Sequence, residues 1–187
     1  MAKLGREVTD ALSDGRAFTV RDAHTRDARP LAQLLDSVAA EPEATLLMLP
    51  GQVGAGLWRR RIADAVADPR CLQLVAVVDQ VPAGALGLRP DPHPNSAHTA
   101  WVGMSVGAPW RRLGVGGSLM EAAAGWAATH GVVKLALGVF PENARAIAFY
   151  EQHGFSREGL RRAQFVRAGA YHDEVLMARF LAPVSRS

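Results

Sequence analysis

The feature that most constrains this chain is the stretch Arg111-Arg112-Leu113-Gly114-Val115-Gly116-Gly117-Ser118. Before it runs an apolar, strand-like segment from Trp101 to Val106, closed by a turn at Gly107-Ala108-Pro109. After it, Leu119, Met120, Ala123, Trp126 and Ala127 fall on one helical stripe. A glycine loop that opens a helix makes an anion site, because the first backbone N–H groups have no intrahelical partner and the helix dipole adds positive potential. Glycine also lets a diphosphate approach where a Cβ would collide. By itself the loop is equally well a glycine-rich helix start without a ligand. Two familiar phosphate loops do not fit. The nucleotide loop needs Lys and Ser/Thr after its last glycine, whereas Ser118-Leu119 follow Gly117, and the dinucleotide fingerprint needs a glycine where Leu119 stands.

Around the loop the hydrophobic pattern predicts one α/β domain over 17–182. Residues 1–16 are polar and weakly periodic and read as an arm, flexible or a frayed helix. Phe18-Thr19-Val20-Arg21 reads as a first strand. Leu31, Leu34, Leu35 and Val38 set a helix over 27–40, with Pro30 in its first turn. A loop over 41–56 leads to a second helix through Trp58, Ile62 and Val66. Leu72–Val78 and Ala83–Leu88 read as a hairpin around Asp79-Gln80, followed by a proline-rich turn and a strand over 97–106. The loop's helix closes at His130-Gly131, and Val133, Leu135, Leu137 and Val139 alternate as a strand. A helix over 143–153 ends at Gly154, and strands over 155–167 and 172–181 flank a turn at Gly169. The order β-α-α-β-β-β-α-β-α-β-β implies an α/β fold on a single mixed, largely antiparallel sheet flanked by helices.

Composition excludes several classes. With 187 residues, 49% apolar and 21% charged, the chain has ordinary globular values and enough length for one buried core. No apolar run reaches membrane-spanning length, and the N-terminus lacks a signal-peptide layout. A net charge of +3 with arginines spread along the chain argues against nucleic acid. The tight clusters Arg59-Arg60-Arg61, Arg111-Arg112 and Arg161-Arg162 read as solvated faces or partners for a phosphate. A lone Cys71 forbids an internal disulfide, fits a cytoplasmic location, and reads as a small buried hydrophobe. The histidines show no metal-ligand spacing, so no metal is expected.

A second stretch, Asn143-Ala144-Arg145-Ala146-Ile147-Ala148-Phe149-Tyr150-Glu151-Gln152-His153-Gly154-Phe155, carries an amide and a phenol seven residues apart. Two helical turns put both on one face about 10 Å apart, where one elongated ligand meets both. Taken singly, they read as a capping Asn and a half-buried aromatic. The Arg-x-x-Gly-x-Gly loop and Asn-x-x-Ala-x-x-Phe-Tyr-Glu-x-x-Gly-Phe together resemble the GNAT superfamily of N-acetyltransferases across residues 97–155, and the element order extends that resemblance over most of the chain.

The resemblance implies an acetyl-CoA-dependent N-acetyltransferase with a GNAT-like acyl-CoA N-acyltransferase fold, acting on a primary amine of a small molecule or a protein N-terminus. Acetyl-CoA serves as acyl-donor cosubstrate. Met104 and Val106 would pair with the pantetheine arm through their backbone. Arg111, Arg112, Leu113, Gly114, Val115, Gly116, Gly117 and Ser118 would hold the pyrophosphate. Asn143 would bond the pantetheine side and Tyr150 would stand near the thioester sulfur. Amine attack on a thioester needs a proton acceptor, an oxyanion donor and a proton for the leaving thiolate. A backbone N–H near Met104 would serve the oxyanion and Tyr150 the thiolate. Residues 99–106 hold no carboxylate, so the proton acceptor is left between Glu41 and His98, with Asp173 and Glu174 bordering the acceptor pocket. The rival reading is a non-catalytic acyl-CoA-binding module. Neither nucleic acid nor membrane is expected as a partner, and a homodimer is compatible with this reading.

Overall fold

The computed structural model describes residues 7–41, 51–167 and 169–184. Its strands are β1 (Val8–Ala11), β2 (Ala17–Asp22), β3 (Leu72–Val78), β4 (Val81–Pro90), β5 (Thr99–Val106), β6 (Lys134–Val139), β7 (Ser156–Arg167) and β8 (Ala170–Phe180). They form one eight-stranded sheet in the order β1-β2-β3-β4-β5-β6-β8-β7. The helices are α1 (Ala28–Ala39), α2 (Ala55–Ala67), α3 (Val115–Thr129) and α4 (Ala144–Gln152).

Residues 8–11 are neither an arm nor a frayed helix: they pair with Ala17–Val20 as an added edge strand. The observed order therefore gains a strand at the front. The expected turn of the β3–β4 hairpin stands at Asp79-Gln80, with φ of 47° and 67°. Both central residues lie in the left-handed region that a two-residue hairpin with the sheet's twist requires. From the loop expected over 41–56, residues 42–50 lie outside the described residues, as do 1–6 of the expected arm.

The middle strands are buried on both faces, which explains the near-continuous apolar run of β3. Leu72, Leu74, Leu86, Leu88, Leu135 and Leu137 face Leu119, Met120, Ala123 and Ala127 of α3. The other face carries Val75 and Ala85 under Leu31, Leu35, Trp58 and Ile62 of α1 and α2. The N-terminal turn of that second layer is pinned by Arg21, whose guanidinium donates to both oxygens of Asp27 at 2.7 and 3.0 Å. Cys71 is buried and free, and burial raises its thiol above the usual range.

One pairing is incomplete, and it positions the site. β5 and β6 run parallel but pair only through Thr99–Lys134, Ala100–Leu135 and Trp101–Ala136. From Val102 onward the two strands part, so a gap opens in the middle of the sheet.

Candidate active site

The gap is edged by backbone that β4 does not pair. Gly107 N–H donates to Ala83 C=O at 2.9 Å, so that pair carries the hydrogen bonds of the antiparallel β4–β5 ladder. Alternation along the ladder then turns the N–H and C=O groups of Val106 and Met104 away from β4 and toward the gap. The Val106 carbonyl accepts from Arg111 Nε at 2.9 Å.

The glycine loop sits at the end of this edge. Gly114 caps α3 with φ 99°, and Arg112 adopts φ 61°. Left-handed backbone at a bulky residue costs about 1–3 kcal/mol and is common at ligand clamps. The first intrahelical bond closes from Ser118 N–H to Gly114 C=O at 3.1 Å, which leaves the N–H groups of Val115, Gly116 and Gly117 without helical acceptors. Gly116 is helical: an added Cβ would stand 3.3 Å from the Phe149 ring.

A cavity of about 960 Å³ joins the gap to the space beneath α1 and α2. Of the residues singled out in the sequence, Met104, Val106, Arg111, Arg112, Gly114, Gly116, Gly117, Asn143, Tyr150 and Glu41 line it. Leu113, Val115, Ser118 and His98 do not. Leu113 accepts from Ser13 N–H at 3.2 Å, Val115 is buried in the core, and Ser118 Oγ donates to Asp10 on β1 at 2.5 Å. His98 is exposed before β5, and its carbonyl receives Val133 and Lys134 N–H.

Glu41 lines the cavity but is engaged. Both of its oxygens accept from the Arg111 guanidinium at 2.6 Å, tying the end of α1 to the loop. Asn143 caps α4, its Oδ1 accepting from Ala146 N–H at 3.0 Å, which leaves the amide NH₂ as a donor. Tyr150 is 9% exposed between Phe149 and Phe155, and burial pushes its phenol up to about 12. It stays protonated at neutral pH and can donate.

The part of the cavity beneath α1 and α2 holds residues that the sequence did not single out or left undecided. Gln73, Gly87 and Gly103 lie in one row across β3, β4 and β5. An added Cβ at Gly87 would stand 2.8 Å from Gln73 Oε1, and one at Gly138 would collide with the Glu174 carboxylate. Nothing stands above Gly103 within 4 Å. Gln73 and Glu174 thus reach over a glycine floor from opposite sides. Glu174 is 6% exposed and accepts from Arg161 Nη1 through Oε2 at 3.1 Å. Asp173 instead accepts from Ala163 N–H at 2.8 Å and holds a bulge in β7. The sequence pointed to Glu174 alongside Asp173, and a signal for Gln73 was its place as a polar residue inside an otherwise apolar strand. Among the described residues no cluster of His, Cys, Asp or Glu could hold a metal ion.

A split parallel pair with backbone open toward the gap, a helix start without a side-chain cap beyond it and a buried phenol on the cavity wall fit an acyl-CoA-dependent acyltransferase. Residues 37–155 match the model of the Acetyltransferase (GNAT) family. An L-amino acid N-acetyltransferase of Escherichia coli, AaaT, is 33% identical over 87% of this chain and 97% of its own. Two solved structures share the fold. An acetyltransferase of the GNAT family from Streptococcus pneumoniae has a TM-score of 0.79 at 22% identity, covering 88% of this chain and 99% of that one. The yncA protein of Salmonella typhimurium, solved with its cofactor acetyl-CoA, has a TM-score of 0.80 at 17% identity, covering 91% and 97%. The chain belongs to the GNAT acetyltransferase family and is an acetyl-CoA-dependent N-acetyltransferase.

Proposed function

We propose that the chain acetylates the free amine of a small molecule of the amino-acid class. The observation that carries this reading is the cavity beneath α1 and α2, walled by Gln73, Glu174 and the glycine floor and continuous with the β5–β6 gap. The amino-acid relative supports the same acceptor class. A protein N-terminus remains the alternative acceptor.

Acetyl-CoA enters along the gap, its pantetheine arm bonding the N–H and C=O of Met104 and the N–H of Val106 as an extra strand would. The N–H groups of Gly116 and Gly117 receive the diphosphate, and Arg112 adds positive charge. Glu41 holds Arg111 against the Val106 carbonyl and keeps the loop in place. The amine nitrogen attacks the thioester carbon, a C–N bond forms, and the C–S bond breaks. The oxyanion is held by a backbone N–H near Met104. The amine proton leaves toward the Glu174 carboxylate, and the Tyr150 hydroxyl delivers a proton to the departing sulfur. The cytoplasm suits this use of acetyl-CoA and a single free cysteine, and among the described residues no helix is long and apolar enough to cross a membrane.

A screen of L-amino acids, simple amines and N-terminal peptides, read by free-thiol release from acetyl-CoA, tests this. Amino acids are expected to turn over ahead of peptides. Thiol release that no amine stimulates, from protein that binds acetyl-CoA, would instead favour a binding module.

A further inference from the structure

Arg61 stands out among the cations of the acceptor cavity. It sits on α2, one turn beyond Trp58, and its guanidinium lies 5.3 Å from the Trp58 ring centre. Its neighbours Arg59 and Arg60 are exposed, whereas Arg61 is half-buried and faces the cavity. Of the two readings of this arginine cluster, a solvated face fits Arg59 and Arg60 but not Arg61.

The charges around it do not balance. Arg111 is neutralised by Glu41, and Arg161 lies 3.1 Å from Glu174. Arg89, on the same wall, reaches Asp64 only at 3.5 Å, with both side chains well exposed. Arg61 has no ion pair or hydrogen bond to any described residue. Burial pushes its guanidinium below the usual range, and the charge of Arg89 acts in the same direction. A half-buried cation beside a second cation is unfavourable unless an anion joins them. The Trp58 indole N–H, buried beside it, also lacks an acceptor among the described residues. Trp58 and Arg61 stand one turn apart on α2, and both line the cavity.

We propose that Arg61 and Arg89 form an anion subsite that holds the carboxylate of the acceptor, leaving its amine directed over Gly103 toward the β5–β6 gap. This rests on the amino-acid reading above and sharpens it: a free carboxylate becomes a requirement for efficient turnover. Arg61 fits the role through its planar fork of donors, which matches a carboxylate bidentately.

The test compares each L-amino acid with its carboxamide, which keeps the amine and removes the negative charge, under saturating acetyl-CoA. Wild-type protein is expected to favour the acid in kcat/KM by about ten- to a hundred-fold, the usual range for a charge-assisted hydrogen bond. Arg61→Gln should shrink that ratio at least about tenfold, chiefly through KM, and Arg61→Lys should restore part of it. Arg89→Gln should shrink it less. Acetyl-CoA affinity by calorimetry and the thermal midpoint verify that each variant is folded and loaded. Equal use of acid and amide by wild-type protein would overturn the subsite while leaving the acetyltransferase reading intact. So would an Arg61→Gln variant that loses both substrates in equal measure. Turnover of no amine at all, with acetyl-CoA bound, would remove the acceptor reading and the subsite together.

Discussion

At the scale of single residues, Tyr150 carries the sharpest expectation. Tyr150→Phe keeps the ring among Phe149 and Phe155 and removes only the hydroxyl. Turnover should fall by about 10²-fold, the low end for a lost general acid, because water can protonate a thiolate. Acetyl-CoA affinity should barely move, and single-turnover kinetics would expose a role limited to packing if the chemical rate stayed at the wild-type value. The same burial gives a second readout. The folded phenol titrates at about 12 against 10.0 for the ordinary group, so its contribution is complete below about pH 10 and is lost as pH rises through 12. Wild-type protein should lose about 2 kcal/mol from this group by about pH 11.5, and Tyr150→Phe should not. Denaturant titrations of both proteins at neutral and alkaline pH measure the difference.

At the scale of elements, the loop and the end of α1 act as one piece through the Glu41–Arg111 pair. Glu41→Gln should raise KM for acetyl-CoA severalfold with a smaller effect on kcat. A drop in kcat of about 10²-fold with loss of the acid limb of the pH profile would instead make Glu41 the base. Gly114→Ala should cost about 1–3 kcal/mol, because φ 99° is strained for any side chain, and should weaken acetyl-CoA binding. Gly116→Val acts differently, against the Phe149 ring, and its cost belongs to packing. The sequence showed the loop, the α4 motif and nearly every element, because each is written in local spacing. It did not single out the left-handed glycine, since a run of Gly114, Gly116 and Gly117 does not say which one turns. It missed β1, too short and polar to show alternation. Glu174 was undecided beside Asp173, and Arg61 was left between a solvated face and a phosphate partner. Those assignments depend on which face of a strand or helix meets the cavity, and residues as distant as Gln73 and Glu174 meet only across the finished sheet.

At the scale of the whole molecule, acetyl-CoA should behave as a structural part. At about a hundred times its dissociation constant it should add about 2.7 kcal/mol, and each kcal/mol should raise the melting midpoint by roughly 2–4 °C. A folded sample that shows no shift at millimolar acetyl-CoA would deny the site. The split between β5 and β6 has a further consequence. Among the described residues, three residue pairs, Thr99–Lys134 to Trp101–Ala136, are the only ladder joining the five strands on one side to the three on the other. The sheet is thus two leaves bound at one end of a seam. Amides of Met104 and Val106, on the open margin, should exchange with deuterated solvent far faster than those of Leu74 or Leu86 in the closed ladder. Filling the seam should slow them selectively, so that the enzyme's most responsive amides lie in the middle of its sheet and not at its periphery.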